Sequence, residues 1–153
     1  MPKHTPDSFI KEENQAKGGG EPDQVHWISE AGGLTQFGTY LEILQPGSCS
    51  SIKHWHSAED ELVYVLAGQV TLVEGDTETL LNPGDAATFK AGVPAGHCLW
   101  NRSALPTTCL VVGTRAQVDR ITYPDHDRVC LRDRSLEQDV WVDTSGRPAT
   151  SPY

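Results

Sequence analysis

The chain has 153 residues, with 12 Lys and Arg against 21 Asp and Glu, for a formal net charge of -9. That length suits one domain with a real hydrophobic core, and that charge argues against nucleic acid, whose phosphates need a basic surface. No run of about 18 apolar residues exists, which excludes a spanning helix. MPKHTPDSFI lacks the apolar stretch of a secretion signal, so a cytoplasmic protein with reduced thiols at Cys49, Cys98, Cys109 and Cys130 is expected.

Residues 1–24 are polar and contain Gly18-Gly19-Gly20. Without apolar periodicity they do not offset the entropy of ordering, which predicts a flexible arm or a strand that docks onto a partner. Residues 25–117 then carry short extended runs: QFGTYLEIL (36–44), KHWHSAEDELVYVLAG (53–68), VTLVEG (70–75), TETLL (77–81), AATFK (86–90), GHCLWN (96–101) and TTCLVVG (107–113). Turn chemistry separates them. Glu74-Gly75-Asp76-Thr77 tolerates positive φ between two strands, and Asn82-Pro83-Gly84-Asp85 puts Pro and Gly where a type II turn wants them. Evenly spaced strands without a helical stretch between them predict an all-β antiparallel sandwich or barrel. Residues 118–153 are rich in charge and Pro with isolated apolar anchors, which suits an extended tail packed on the barrel.

The run from Lys53 to Gly68 holds the chemistry. On a strand, His54 and His56 point one way and Trp55 the other. Two imidazoles ~7 Å apart on one face, from a rise of ~3.3 Å per residue, can meet on one cation, which a carboxylate on the adjacent antiparallel strand then reaches. Imidazole plus carboxylate suits Fe, Mn, Ni, Co or Zn rather than Ca or Mg. Glu61 shares its face with Val63 and Val65, the expected barrel filling. Glu59 has the same parity but falls in the turn, and Asp60 points away, so parity favours Glu61. The opposite face, Leu62, Tyr64 and Leu66, is also apolar, and a strand apolar on both sides needs cover on both. A second subunit supplying that cover predicts a homodimer; the terminal arm or tail is the other candidate.

These residues resemble the cupin superfamily. HWHSAEDELVYVLAG is similar to its first motif at His54, His56, Glu61 and Gly68, and His97-Cys-Leu-Trp-Asn101 to the end of its second. Asn82-Pro83-Gly84-Asp85 stands where the family has a Pro-Gly-Asp turn. The resemblance covers roughly residues 35–114 and implies a cupin-type double-stranded antiparallel β-helix, or jelly-roll barrel. It also implies a divalent transition metal held by His54, His56, Glu61 and His97. Two departures lengthen loops at the barrel mouth without removing a ligand: Gly47 lies one residue further from His54, and four residues separate Gly92 from His97 where the family has two. Lys90 also replaces the usual Pro.

Asn101 either orients a ligand or ends its strand. Tyr64, of parity opposite to Glu61, reads as packing. With such a site the resemblance implies a metal-dependent enzyme of dioxygenase, isomerase, decarboxylase or lyase type acting on a small oxygen-containing metabolite. The alternative is a non-catalytic small-molecule-binding or sensor protein. No dedicated base is evident except Glu61 itself, should it leave the ion. Residues 1–24 leave no room for a helix-turn-helix, so no nucleic-acid partner is expected, nor a membrane.

Overall fold

A computed structural model describes residues 3–15 and 21–153. The Gly18-Gly19-Gly20 break of the arm lies outside them. In chain order the strands are β1 (Ile10–Asn14), β2 (Asp23–Trp27), β3 (Phe37–Leu44), β4 (Trp55–His56), β5 (Glu61–Ala67), β6 (Val70–Glu74), β7 (Thr77–Leu81), β8 (Ala86–Phe89), β9 (His97–Trp100), β10 (Thr107–Thr114), β11 (Val118–Tyr123), β12 (Arg128–Asp133) and β13 (Val140–Val142). One helical turn, α1 (Ile28–Ala31), separates β2 from β3.

A six-stranded sheet in the order β1-β2-β3-β10-β5-β8 forms one wall. The other wall consists of a three-stranded sheet, β7-β6-β9, and a four-stranded sheet, β13-β12-β11-β4. The two join at an isolated antiparallel bridge between His54 and His97, whose backbones exchange hydrogen bonds of 3.2 and 2.9 Å. Inward-facing Leu44, Val63, Val65, Cys109 and Val111 of the first wall pack against Val70, Leu81 and Leu99 of the second, which closes an antiparallel double-sheet barrel of cupin type. Burying a valine such as Val65, fully inaccessible here, contributes about 1.5 kcal/mol or more. A smaller cluster of Ile121, Tyr123 and Cys130, joined by Ile52 and Trp141, lies under the C-terminal sheet.

The turn residues act where the sequence places them. Gly84 (φ 96) closes the loop between β7 and β8, and Gly68 (φ 76) turns the chain from β5 into β6. A Cβ at Gly68 would stand 2.6 Å from the Pro106 carbonyl oxygen, so sterics and φ both demand glycine there.

Three features differ from the sequence reading. The stretch read as an extended tail carries β11, β12 and β13, because Asp119, Ile121 and Tyr123 alternate inward with exposed Val118 and Arg120. The segment read as an arm carries β1 and part of β2, which pair with each other and extend the sheet past β3. Finally, β4 and β5 do not form a hairpin. β4 pairs with β11 while β5 lies between β10 and β8, so residues 57–60 carry the chain from one wall to the other. The carboxylate therefore meets the histidines across the end of the barrel, not along a shared ladder.

Candidate metal centre

Three side chains converge where the walls meet. Ligand atoms of His54, His56 and Glu61 all lie within 4.8 Å of one another, a grouping able to hold a metal ion. The rings of His54 and His56 have centroids 5.1 Å apart and stand nearly perpendicular. His97 meets this group through Glu61, its Nε2 3.2 Å from Oε2, but lies outside the 4.8 Å set itself. Phe89 stacks flat on its imidazole, the ring planes 3° apart, and so fixes its plane. All four residues expected as ligands thus sit at one end of one cavity of about 330 Å3.

The remaining ring nitrogens show which atoms are left for a cation. His54 Nδ1 donates to the Ile52 carbonyl (3.0 Å), and His56 Nδ1 donates to Asp119 Oδ2 (2.6 Å). Both acceptors lack a proton, so each histidine carries a hydrogen on Nδ1 and leaves Nε2 as the ring nitrogen available to a cation. This pairing of a carboxylate or carbonyl with the far nitrogen is the arrangement that orients metal-ligating imidazoles. His97 differs: its Nδ1 is buried with no hydrogen-bond partner among the described residues. Charge states suit the same purpose. Burial pushes the His54 imidazolium down and keeps the ring neutral at pH 7. Burial opposes ionisation of Glu61, but the hydrogen bond from His97 and the nearby imidazoles outweigh it and hold the carboxyl below its usual range. His54 and Glu61 are thus in the donor forms a transition metal takes, and by their spacing with His56 they fit such an ion.

Two acids that the sequence reading did not place at the site stand behind it. Asp119, on β11, is buried and accepts from His56, from Ser57 Oγ (3.0 Å) and from the Ala58 amide (2.9 Å). Burial opposes its ionisation, yet those hydrogen bonds prevail and bring its carboxyl to about 2. Glu59, expected in the turn and at most as a surface residue bordering the pocket mouth, is buried, with Oε2 3.8 Å from His56 Nδ1. Its Oε1 accepts from Arg134 (2.7 Å) and from the Ala116 amide (2.9 Å). His56, Glu59 and Asp119 also fall within ligand spacing of one another. Asp119 already accepts three hydrogen bonds and Glu59 is ion-paired, so this trio reads as support for His56 and not as a second ion site. The alternation of Asp119, Ile121 and Tyr123 was the signal for Asp119; nothing local marks Glu59, whose partner Arg134 is 75 residues away.

Asp60 does shape the turn, accepting from the Ala91 amide at 2.8 Å. Asn101 ends its strand: its Nδ2 donates to the carbonyls of Leu44 and Leu105, and its Oδ1 accepts from Ser103. It is fully buried, and among the described residues none of its side-chain hydrogen bonds reaches the histidine group.

An antiparallel double-sheet barrel with a His-x-His pair, a glutamate and a third histidine gathered at one end of its cavity is the architecture of a cupin. The chain belongs to the cupin superfamily. The model of the cupin domain matches residues 40–113. The crystal structure of a sugar phosphate isomerase of the cupin superfamily from Silicibacter pomeroyi DSS-3 is 35% identical over 98% of both chains, with a TM-score of 0.85. A protein of Acidithiobacillus ferrooxidans, provisionally assigned as a sugar phosphate isomerase, is 28% identical over 85% of this chain and 81% of its own, with a TM-score of 0.76. The polyketide cyclase RemF from Streptomyces resistomycificus, 22% identical over 74% of this chain and 79% of its own with a TM-score of 0.60, shares the fold. Comparison with curated proteins finds no significant match.

Proposed function

We propose that this protein is a metal-dependent cupin enzyme that isomerises a sugar phosphate, with His54, His56, Glu61 and His97 holding a divalent transition metal. The observation that carries the reading is the 35% identity, over 98% of both chains, to a protein described as a sugar phosphate isomerase, together with the convergence of His54, His56 and Glu61 at the cavity. When bound, the ion would polarise a carbonyl oxygen and make the neighbouring carbon-bound proton acidic. Glu61 is the group we assign to moving that proton. In the metal-free chain its Oε2 accepts from His97, and no side chain among the described residues engages Oε1, which leaves Oε1 to take the proton up. The phosphate falls at the cavity wall where Arg115, Arg132 and Arg134 stand. Each is paired with one carboxylate, Glu30, Asp139 or Glu59, and keeps further N–H groups to donate.

The alternative is a non-catalytic binding protein. It is favoured by the engagement of Glu59 and Asp119, since among the described residues the centre then has no carboxylate beyond the ligand Glu61 to serve as a dedicated base.

Two measurements test the proposal. Elemental analysis of protein purified without chelators should find close to one transition-metal ion per chain, lost in His54→Ala and His97→Ala. Full metal content in both variants would refute the ligand assignment. Incubation of the metal-loaded protein with aldose and ketose phosphates in D2O, followed by NMR, should show interconversion with deuterium entering the carbon next to the carbonyl. Retention of a sugar phosphate without exchange would instead support the binding protein.

The assembly belongs to the same proposal. The outward face of β5, β10 and β3 is apolar, with Leu62, Tyr64, Leu66, Leu110, Leu41 and Ile43 side by side and β5 contributing the most exposed of them. Among the described residues neither β1 nor the strands after residue 117 cover it: β1 extends the sheet sideways and β11–β13 lie in the opposite wall. We assign this face to a homodimer contact.

A further inference from the structure

Inward-facing residues of the six-stranded wall stand in rows set by the strand register. Gly38, Gly113 and Glu61 make the row nearest the histidines; Tyr40, Val111 and Val63 make the next; Glu42, Cys109 and Val65 make the third. Glu42 is out of place there. Its row-mates are apolar and buried, and Leu44 and Leu99 belong to the same packed core. A valine or leucine at position 42 would continue the pattern. The glutamate is only 8% exposed and lines the same cavity as the histidine group. No hydrogen bond or ion pair engages its carboxyl among the described residues; the charges that act on it, those of Glu61 and Asp23, are both repulsive. Tyr40, one row closer to the centre, also faces the cavity and is tilted against Trp27 with ring centroids 4.6 Å apart.

Packing does not account for Glu42. A carboxyl that is 8% exposed and has no partner among the described residues gives up most of its hydration and gains nothing from the protein in return; what accessible surface it keeps faces the cavity. A group that weakens the fold and faces a ligand-sized cavity is explained by what enters that cavity. We propose that the Glu42 carboxyl holds a hydroxyl group of a polyhydroxylated ligand at the floor of the barrel cavity, with the Tyr40 phenol lying between it and the histidine group. This rests on the sugar phosphate reading and adds to it a residue that selects hydroxylated chains.

The chemistry matches. Burial, reinforced by Glu61 and Asp23, pushes the carboxyl up to about 8, so at neutral pH it carries a proton and both donates and accepts, as a sugar hydroxyl does. The same two acids disfavour an anion at this depth, which sends the phosphate to the arginines and the carbon chain to the floor. Glu42 lies four residues along the sheet from the row of Glu61, or about 13 Å at a rise of ~3.3 Å per residue. A ligand reaching both is a chain of several hydroxylated carbons.

The test uses calorimetric titration of the metal-loaded protein with sorbitol 6-phosphate, an acyclic polyol phosphate that cannot isomerise, and with hexyl phosphate, which lacks its hydroxyls. Glu42→Leu should bind sorbitol 6-phosphate about tenfold more weakly, as expected for losing one hydrogen bond to a buried group, while Glu42→Gln stays within about threefold. Hexyl phosphate should bind Glu42→Leu at least as well as it binds the wild type. Infrared difference spectra of the wild type should show a carboxylic-acid carbonyl band that shifts on adding sorbitol 6-phosphate and is missing from Glu42→Gln. This readout stands even if the leucine variant does not fold. Equal binding of sorbitol 6-phosphate by Glu42→Leu and wild type, or an unshifted band, would overturn the role of Glu42 and leave the sugar phosphate reading intact. No binding of sorbitol 6-phosphate by the wild type would overturn both.

Discussion

Replacing Glu42 by Gln should make the protein more stable at neutral pH and remove a pH dependence that the wild type carries. Burial is the main cause of the raised carboxyl value, about 8 against an ordinary 4.5, with the charges of Glu61 and Asp23 adding to it. Between those two values the folded chain keeps the Glu42 proton and the unfolded chain releases it. The folded state then binds more protons, so stability falls as pH rises. The stabilisation from this proton is fully present below 4.5 and gone once pH passes about 8. Each pH unit in the window costs about 1.4 kcal/mol, so at pH 7 the wild type has lost about 3 kcal/mol relative to pH 4.5. The amide that Glu42→Gln introduces does not titrate and escapes this loss. Urea unfolding of both metal-free proteins at pH 5, 6, 7 and 8 should give a stability difference that grows in favour of the variant with a slope near 1.4 kcal/mol per unit. A difference independent of pH would refute the assignment of a protonated Glu42 in the folded barrel.

Three further substitutions test other parts of the fold. Asp119→Asn should weaken metal binding about 10–100-fold in a competition titration, because the amide no longer holds His56 with its Nε2 turned inward. The same substitution should cost stability above pH 3.8 and progressively less as pH falls towards 2, where the wild-type carboxyl takes up its proton. Gly68→Ala should lower unfolding stability by about 2 kcal/mol or more in urea, since the methyl would meet the Pro106 carbonyl at 2.6 Å and φ is 76°. Leu66→Glu, on the outward face of β5, should shift the protein to monomers in sedimentation velocity while leaving the circular dichroism of the barrel unchanged. Monomeric wild type at the same concentration would refute the dimer.

Much of this protein was legible along the chain because strand periodicity is local. Inward Val63 and Val65 alternate with outward Leu62, Tyr64 and Leu66, as parity required. The turn chemistry of Asn82-Pro83-Gly84-Asp85 and the motif spacing at His54, His56, Glu61 and His97 likewise need only neighbouring residues or a family resemblance to be seen. What only the tertiary structure decided are the contacts closed over long loops. Glu61 faces the histidines across the barrel end because β4 pairs with β11 and β5 with β10, a choice no local pattern encodes. Asp119 comes to His56 from 63 residues away and Arg134 to Glu59 from 75, through strands whose charge-rich sequence resembles a loose tail. Glu42 shows the same limit. Alternation alone puts it on the inner face of β3, but that it is buried, without a partner among the described residues, and lines a cavity depends on what the other strands place around it.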